Sequence, residues 1–295
     1  MRTSSILSCL LLLVPTGSLL AANESNYTYL ALGDSIAFGF NPTLLSPTLP
    51  PPAPAQFTGY PEVLAQVEHL LQSKKEVNTA CPGETSGSFW IPGAQDNGCN
   101  WFKTNIGLHT NYSGTQLQFA LSQLAGNRHI NLVTLGIGGN DLLLVEEQCS
   151  APSVPSFSDC VLALLGTPQA PGVVIQSYAA NLAAILTAIR ANYSGTLVLV
   201  NNYAASADPL FVEAVAFLDG VMTQVGANFD VKVADGFTAF QMASALFPSP
   251  VPPHFGDPCA AGLLIRLSAT SCDVHPSPMG RDLLAATVVV ASQSK

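Results

Sequence analysis

Short runs of apolar residues alternate along the chain with longer stretches in which apolar positions recur at helical spacing. The short runs lack that spacing and are bounded by glycine, asparagine or proline, as is typical of buried strands. Such runs predict strands at residues 27–32, 76–78, 131–135, 196–200 and 231–234.

The longer stretches predict helices over residues 61–72 and 173–190, where apolar residues lie three and four positions apart. Ser277 and Pro278 predict the cap and first turn of a C-terminal helix that continues to residue 290. Strands that alternate with helices predict an α/β fold with a mostly parallel sheet of about five strands.

Four long segments between these elements carry neither pattern, and we expect them to be irregular: residues 41–59, 84–112, 148–172 and 247–272. Loops of this length in a compact domain are usually functional or cross-linked. Six of their aromatic residues could form an apolar rim around a site or pack beneath the loops. These residues are Phe57, Phe89, Trp90, Trp101, Phe102 and Phe255.

Composition narrows the class of protein. Of the 295 residues, 48% are hydrophobic and 10% are charged, which excludes a disordered chain. The formal net charge of −9 argues against a nucleic-acid partner, because such proteins need a cationic surface. We expect the protein to be a monomer.

The first 22 residues resemble a signal peptide, with Arg2 before an apolar run at residues 6–14 and small residues at Ala21 and Ala22. Leucine occupies the −3 position of a cleavage after either alanine, so an uncleaved anchor remains an alternative. No later apolar run approaches the roughly 20 residues of a spanning helix. We therefore expect an extracellular or periplasmic protein with one domain over residues 23–295.

Of seven cysteines, Cys9 lies in the leader and six remain. An even number in an exported protein predicts disulfides, and 15 pairings are possible. Proximity favours pairs of near neighbours, each closing a short loop worth about 3 kcal/mol. No pair has the C-x2-C spacing of a zinc site, so we expect no metal. The expected pairs are Cys81 with Cys99, Cys149 with Cys160, and Cys259 with Cys272.

Candidate chemistry follows the predicted strands, at the edge where open α/β sheets place their sites. Ser35 comes after the first strand, Gly83 after the second and Asn140 after the third, and His275 lies near the C-terminus. They offer a hydroxyl, a backbone N–H, an amide and an imidazole. Each fragment alone fits a turn, a helix cap or a buried histidine, and the order of the four carries the inference.

This ordered set resembles the SGNH, or GDSL, hydrolases, whose conserved blocks hold these four residue types. The matching segments are Gly33-Asp34-Ser35, Gly83, Gly138-Gly139-Asn140-Asp141 and His275-Pro276, and the resemblance runs from about residue 27 to the end. It implies a three-layer α/β/α, flavodoxin-like domain with long, disulfide-tied loops. It also implies a secreted esterase or lipase that cleaves small-molecule or lipid acyl esters without a cofactor.

The resemblance assigns a role to each residue. Ser35 is the nucleophile and His275 its base, and the oxyanion hole comprises the N–H groups of Ser35 and Gly83 and the amide of Asn140. The family's last block is usually D-x-x-H, but Cys272 stands at that position and Asp273 is only two residues before His275. Asp273 is the expected orienting acid, with a backbone carbonyl near Cys272 as the alternative.

Three alternatives remain open. The protein could remove acetyl groups from a polysaccharide instead of cleaving longer acyl esters. It could also be a non-catalytic binding domain on a hydrolase scaffold. The acidic residues Asp141, Glu146 and Glu147 could form a calcium site, although a solvated helix face is the simpler interpretation.

Overall fold

The protein is described by a computed structural model that covers residues 28–46, 48–67, 76–126 and 129–294. The expected leader, at residues 1–22, and the end of the first predicted helix, at 68–72, lie outside the described residues.

The described residues form strands, α-helices and two short 3₁₀ helices. The strands are β1 (Tyr29–Gly33), β2 (Glu76–Asn78), β3 (Leu132–Gly136), β4 (Gly166–Thr167), β5 (Ala170–Pro171), β6 (Thr196–Val200), β7 (Lys232–Ala234), β8 (Leu264–Arg266) and β9 (Cys272–Pro276). The helices are α1 (Ser35–Phe38), α2 (Tyr60–Val67), α3 (Cys99–Asn105), α4 (Gln116–Gly126), α5 (Gly139–Cys149), α6 (Phe157–Leu165), α7 (Val173–Asn192), α8 (Pro209–Gly226), α9 (Gly236–Ser244) and α10 (Pro278–Gln293). The 3₁₀ helices are Pro42–Leu44 and Pro54–Gln56.

Five strands form a parallel sheet in the order β2-β1-β3-β6-β7. The order reverses direction at β1, which pairs with β2 on one side and β3 on the other, and this is the flavodoxin-like arrangement. The predicted fold is therefore confirmed. The C-terminal ends of β1 and β3 lie side by side, which brings the segments after them together.

Alternate residues of each strand face opposite sides of the sheet and build two hydrophobic cores. Leu30 and Leu32 of β1 face α4, α5, α6, α7 and α8, whereas Tyr29 and Ala31 face α1, α2 and α10. Strands buried on both faces require continuous apolar runs, which explains why the short runs in the sequence marked them.

Several predicted bounds agree with the structure to the residue or nearly so. The strands β2 and β6 match, and the side chain of Ser277 caps α10 by accepting the N–H of Gly280. The first and third predicted strands each end one residue early. Helix α7 extends two residues beyond the prediction and α10 three.

The expectation that four segments are irregular is wrong in part. Residues 148–172 contain the helix α6, which Ser156 caps by accepting the N–H of Asp159, and α3 interrupts residues 84–112. Both helices are short and carry a cysteine, so their apolar spacing is too brief to stand out. Helices α4 and α8 were not predicted either.

The three expected disulfides are present. Cys81–Cys99, Cys149–Cys160 and Cys259–Cys272 have Cα–Cα distances of 5.4, 5.6 and 5.7 Å, within the usual range. The first closes the loop after β2, the second joins α5 to α6, and the third ties the turn before β8 to β9.

Helices α7 and α8 are long and apolar enough to cross a membrane by length and composition alone. Both pack one face against the sheet: Tyr178 and Leu182 of α7 and Leu218 of α8 are fully buried in the first core. This is the environment of a core helix in an α/β domain.

Candidate active site

Ser35 is the first residue of α1, two residues after the end of strand β1. Asp34 caps this helix, since its Oδ1 accepts the N–H of Ile36 at 3.0 Å. The turn requires glycine at Gly33, where φ is +144° and a Cβ atom would lie 2.4 Å from the carbonyl oxygen of Gly136. Ser35 itself is half-buried and lines a cleft.

The carboxyl group of Asp34 lies beneath Ser35 in an unusual electrostatic environment. Burial raises its pKa to about 7, with a further contribution from the charges of Asp141 and Glu84. Hydrogen bonds from Ile36 and Asn140 oppose this shift. A buried acid group with several hydrogen bonds therefore supports the helix that carries Ser35.

Gly83 lies in the loop after β2, where the backbone is left-handed with φ of +84°. A Cβ atom at this position would lie 2.2 Å from the carbonyl oxygen of Asn97, so only glycine fits. The carbonyl of Gly83 accepts the N–H of Asn97 at 2.7 Å, and the Cys81–Cys99 disulfide closes the same loop. The loop that would supply an N–H donor is thus held at both ends.

Asn140 begins α5 after β3, and its buried amide joins the other two segments. Its Nδ2 donates to the carbonyl of Glu84 at 3.0 Å and to Oδ2 of Asp34 at 3.4 Å, while its Oδ1 accepts from Asn97 Nδ2 at 3.0 Å. The amide has two N–H groups, and both have acceptors. To hold an oxyanion, Asn140 would release the longer bond to Asp34.

His275 lies on β9, which pairs with β8 outside the central sheet. Its ring is 8% exposed, and Nδ1 forms a short hydrogen bond with Oδ1 of Asp273, which also accepts the backbone N–H of His275 at 3.0 Å. Burial raises the pKa of Asp273, but the hydrogen bond and charge of His275 outweigh it and hold that pKa below its usual range. Asp273 is therefore a carboxylate at neutral pH.

The departure from D-x-x-H has a structural reason. Cys272, at the usual position of the acid, is bonded to Cys259, so it anchors β9 instead. The carboxylate one residue later reaches the imidazole, because its Oδ1 contacts both the backbone N–H and the ring Nδ1 of His275. The structure places Asp273 in contact with the imidazole of His275, and its role as the orienting acid stays a prediction.

The nucleophile segment and the base segment meet at one edge of the sheet. Helix α1 lies against β9, and the ring of Phe40 packs edge-to-face on His275 with 4.8 Å between centroids. Tyr203 fixes the other side of β9, since its hydroxyl donates to the carbonyl of Val274 at 2.7 Å. Ser35, Asn140 and Val274 all line the same cleft.

This cleft has a free volume of about 80 Å³, and a larger groove of about 670 Å³ lies beside it. The groove runs between α5, α6 and α8 on one side and the segments before β8 and β9 on the other. Four residues line both spaces: Leu142, Ala205, Phe211 and Val274. The space beside Ser35 and the groove therefore share one wall.

Three of the six loop aromatics pack beneath the loops. Phe57, Phe89 and Phe102 are buried in the two cores, whereas Trp101 is 52% exposed. The cleft beside Ser35 is lined by other residues. The interpretation as an apolar rim is therefore wrong for the three buried rings.

Among the described residues, Asp141, Glu146 and Glu147 do not form a group of carboxylates close enough to hold a metal ion. Asp141 accepts the N–H and Oγ of Ser86 at 2.9 and 2.6 Å, while Glu146 and Glu147 are exposed. Cys81, Cys99 and Glu84 do lie together, but the two sulfurs are bonded to each other and offer no thiolate.

Three polar residues that hold the site together were not predicted from the sequence, namely Glu84, Asn97 and Gln116. Their partners lie far along the chain: Gln116 bonds Gly33, 83 residues away. The one local signal is a glutamine at the start of an otherwise amphipathic stretch, which fits an exposed helix end equally well.

Comparison with known proteins agrees with this fold. Three solved structures with a similar fold are a GDSL-like lipase from Parabacteroides merdae (16% identity, TM-score 0.52, covering 90% of this chain and 95% of that one), the acetylxylan esterase Axe2 from Geobacillus stearothermophilus (16%, 0.53, 91% and 95%) and the lipase Lip_vut3 from a goat rumen metagenome (15%, 0.51, 91% and 99%). No curated protein gives a significant match.

The sequence profile of the GDSL-like Lipase/Acylhydrolase family matches residues 31–283, most of the chain. That span contains Ser35, Gly83, Asn140 and His275 in the order that the resemblance required. The chain therefore belongs to the GDSL-like lipase/acylhydrolase family and is a hydrolase of ester bonds.

Proposed function

We propose that this enzyme cleaves carboxylic esters with an apolar acyl chain, through an acyl-enzyme on Ser35. The observation that carries the proposal is the position of Ser35, at the mouth of a largely apolar cleft and beside the strand on which Asp273 holds His275. Hydroxyl, imidazole and carboxylate are the three groups that a serine hydrolase needs.

In the first half-reaction, Ser35 Oγ attacks the ester carbonyl carbon while Nε2 of His275 takes the hydroxyl proton. The carbon–oxygen bond to the alcohol then breaks, and the alcohol leaves with that proton. Asp273 accepts Nδ1–H, which leaves Nε2 unprotonated and able to act as base. In the second half-reaction, water attacks the acyl-enzyme, and Ser35 regains its proton through His275.

The negative charge on the tetrahedral intermediate would be held by the N–H groups of Ser35 and Gly83 and the amide of Asn140. The N–H of a first helical residue has no partner within its helix, so that of Ser35 is available for this purpose. Gly83 is held in a left-handed conformation by its close approach to Asn97. Donors fixed in advance stabilise the transition state without reorganisation.

The acyl chain would follow the cleft into the groove. The free volume beside Ser35, about 80 Å³, holds only a short chain, whereas the groove of about 670 Å³ has the size of a typical ligand site. Apolar side chains from α5, α6 and α8 line one wall, including Val145, Val161 and Ala214. Each methylene group of the acyl chain that is buried against such a wall makes the free energy of binding more favourable.

A second candidate is removal of acetyl groups from a polysaccharide. It is favoured by the small cleft, which fits an acetyl group, and by the opposite wall of the groove, where Ser206, Asp208, Ser249 and Ser271 offer polar groups to a sugar. One of the structural neighbours is an acetylxylan esterase. In this alternative the groove holds the alcohol part of the ester instead of the acyl chain.

We further propose that the enzyme is exported and acts as a monomer. Three disulfides suit an oxidising compartment, and the apolar leader at residues 1–22 suits a secretion signal.

The nucleophile is tested with Ser35→Ala, with Ser122→Ala as the matched control at an exposed serine. Ser35→Ala should lose hydrolysis of p-nitrophenyl butyrate and labelling by a fluorophosphonate while keeping its circular dichroism spectrum. The control should match the wild type. Turnover by folded Ser35→Ala would overturn the assignment.

The acyl site is tested with p-nitrophenyl esters from acetate to decanoate, with acetylated xylan beside them. Ala214→Phe fills the groove, whereas Ala216→Phe places the same ring on the exposed face of α8. Ala214→Phe should lower kcat/KM for decanoate about tenfold or more and leave acetate unchanged, and Ala216→Phe should change neither. Equal loss for all esters, or a preference of the wild type for acetylated xylan, would favour the second candidate.

A further inference from the structure

Gln116 is fully buried at the start of α4, and every hydrogen-bonding position of its amide has a partner. Its Oε1 accepts the N–H of Gly33 at 2.7 Å and the hydroxyl of Thr79 at 3.4 Å. Its Nε2 donates to the carbonyl of Gly33 at 2.9 Å and to Oε2 of Glu84 at 3.1 Å. One side chain thus joins three separate segments of the chain.

The hydrogen bonds between the Gln116 side chain and the backbone of Gly33 take the place of hydrogen bonds between strands. Thr79 and Cys81 donate their backbone N–H groups to the carbonyls of Ala31 and Gly33, so the chain after β2 still follows β1. The N–H of Gly33 lies on the same side of β1, and it donates to the side-chain carbonyl of Gln116. Gly33 is the last residue of β1 and lies two residues before Ser35, so this pair fixes where the nucleophile segment leaves the sheet.

The bond to Glu84 reaches the other side of the site. Glu84 follows Gly83 directly, is buried, and has its second carboxylate oxygen bonded to Ser88 at 2.7 Å. Its backbone carbonyl accepts from Asn140 at 3.0 Å. A continuous series of hydrogen bonds therefore runs from Gly33 through Gln116 and Glu84 to Asn140.

We propose that Gln116 is a positioning residue that sets the distance between the N–H of Ser35 and the N–H of Gly83. It lies behind both donors and contacts neither the cleft nor the groove. A neutral amide suits this place because it donates to a carbonyl and a carboxylate while accepting from an N–H. The inference rests on the proposed roles of Ser35 and Gly83.

The first test is Gln116→Met, which keeps the length of the side chain and removes all of its hydrogen bonds. The matched control is Gln118→Met, at an exposed position on the same helix. In Gln116→Met, kcat for p-nitrophenyl butyrate should fall about tenfold to a hundredfold, the range for a small misplacement of catalytic groups, with little change in KM. The rate of fluorophosphonate inactivation should fall by the same factor, because the phosphoryl oxygen uses the same donors.

The second test is Gln116→Glu, which covers the case in which Gln116→Met does not fold. As a carboxylate, the substituted side chain still accepts the N–H of Gly33 but has no hydrogen to donate to the carbonyl of Gly33. As a neutral acid, it has an O–H group that can donate to that carbonyl. Its kcat relative to wild type should therefore recover as the pH is lowered, and a constant ratio from pH 5 to pH 8 would contradict the proposal.

The outcomes separate this inference from the proposed function. A folded Gln116→Met with the kcat and inactivation rate of the wild type would assign Gln116 to packing alone. Turnover by Ser35→Ala, measured in the same assay, would instead overturn the proposed function. Loss of kcat in Gln116→Met, with Gln118→Met unchanged and Ser35→Ala inactive, supports both.

Discussion

The two halves of the candidate site are held in place by different kinds of structure. Ser35 and Asn140 follow strands of the central sheet, and buried hydrogen bonds join them to the loop of Gly83. His275 lies on a two-stranded hairpin outside that sheet, tied by the Cys259–Cys272 disulfide. The proposed oxyanion half, which comprises Ser35, Gly83 and Asn140, is thus part of the core. The proposed base half, which comprises Asp273 and His275, is attached to that core.

This difference predicts whether a substitution in each half affects stability, catalysis or both. A change in the oxyanion half disturbs buried polar groups, so it should cost both stability and catalysis. In the base half, a change can remove the catalytic contact or loosen the hairpin while the sheet stays intact. Substitutions in each half, compared under the same conditions, separate the two cases.

The largest effect is expected in the base half, for Asp273→Ala. Without the carboxylate, the imidazole loses the bond that orients it, so kcat should fall by about 10³–10⁴-fold, as for the acid of other serine hydrolases. The melting temperature should change little, because Asp273 is only partly buried. Asp282→Ala, at an exposed acid on α10, is the control. Near-normal activity in Asp273→Ala would mean that a backbone carbonyl positions His275.

In the oxyanion half, Asn140→Ala should lower kcat by about 10²–10³-fold, the usual cost of one oxyanion donor. Unlike Asp273→Ala, it should also lower the free energy of unfolding by about 1–3 kcal/mol, since Glu84 and Asn97 lose buried partners. Asn97→Ala removes the partner of Asn140 Oδ1 and spares Nδ2, so its effect on kcat should be smaller. Equal losses of kcat in the two variants would indicate that Asn140 acts through the loop alone.

The third prediction compares two disulfides that close loops of similar length. Replacing Cys259 and Cys272 together by serine should lower kcat severalfold, because β9 loses its covalent tie. The double replacement of Cys149 and Cys160 should leave kcat unchanged. Each should cost about 3 kcal/mol of stability, because the sequence separations are 13 and 11 residues. Equal kcat in both double variants would show that the hairpin is positioned without its disulfide.

The same division explains how much the sequence could predict. Continuous apolar runs marked the strands, and residues at successive strand ends converge because parallel strands end at one edge. Asp273 and His275 are two residues apart, so their contact is local and could be anticipated. The near-neighbour disulfides were predictable for the same reason.

What the sequence did not predict depends on contacts between distant residues. Gln116 meets Gly33 and Glu84 only because α4 packs on the first core face of the sheet. Asn97 meets Asn140 only because a disulfide folds back its loop. Nothing in the local pattern separates these polar residues from exposed ones, since burial is decided by the tertiary arrangement.

The smallest expected effect concerns Asp219, a buried acid of α8 behind the oxyanion half. Burial raises its pKa to about 7, although the backbone and side-chain N–H groups of Asn202 oppose the shift. Between about pH 4 and pH 7 the folded protein keeps a proton that the unfolded chain has lost, so the free energy of unfolding should fall as the pH rises through this window. Asp34, with a similar pKa, adds to the slope.

Asp219→Asn removes one of these two groups and keeps Oδ1 for Asn202. The melting temperature of the wild type should fall by several degrees between pH 5 and pH 8, and that of Asp219→Asn by less, with Asp282→Asn following the wild type. The kcat at pH 7 should be unaffected, because Asp219 does not line the cleft. A wild-type melting temperature that rises over this interval would show that buried acids do not dominate the pH dependence of this core.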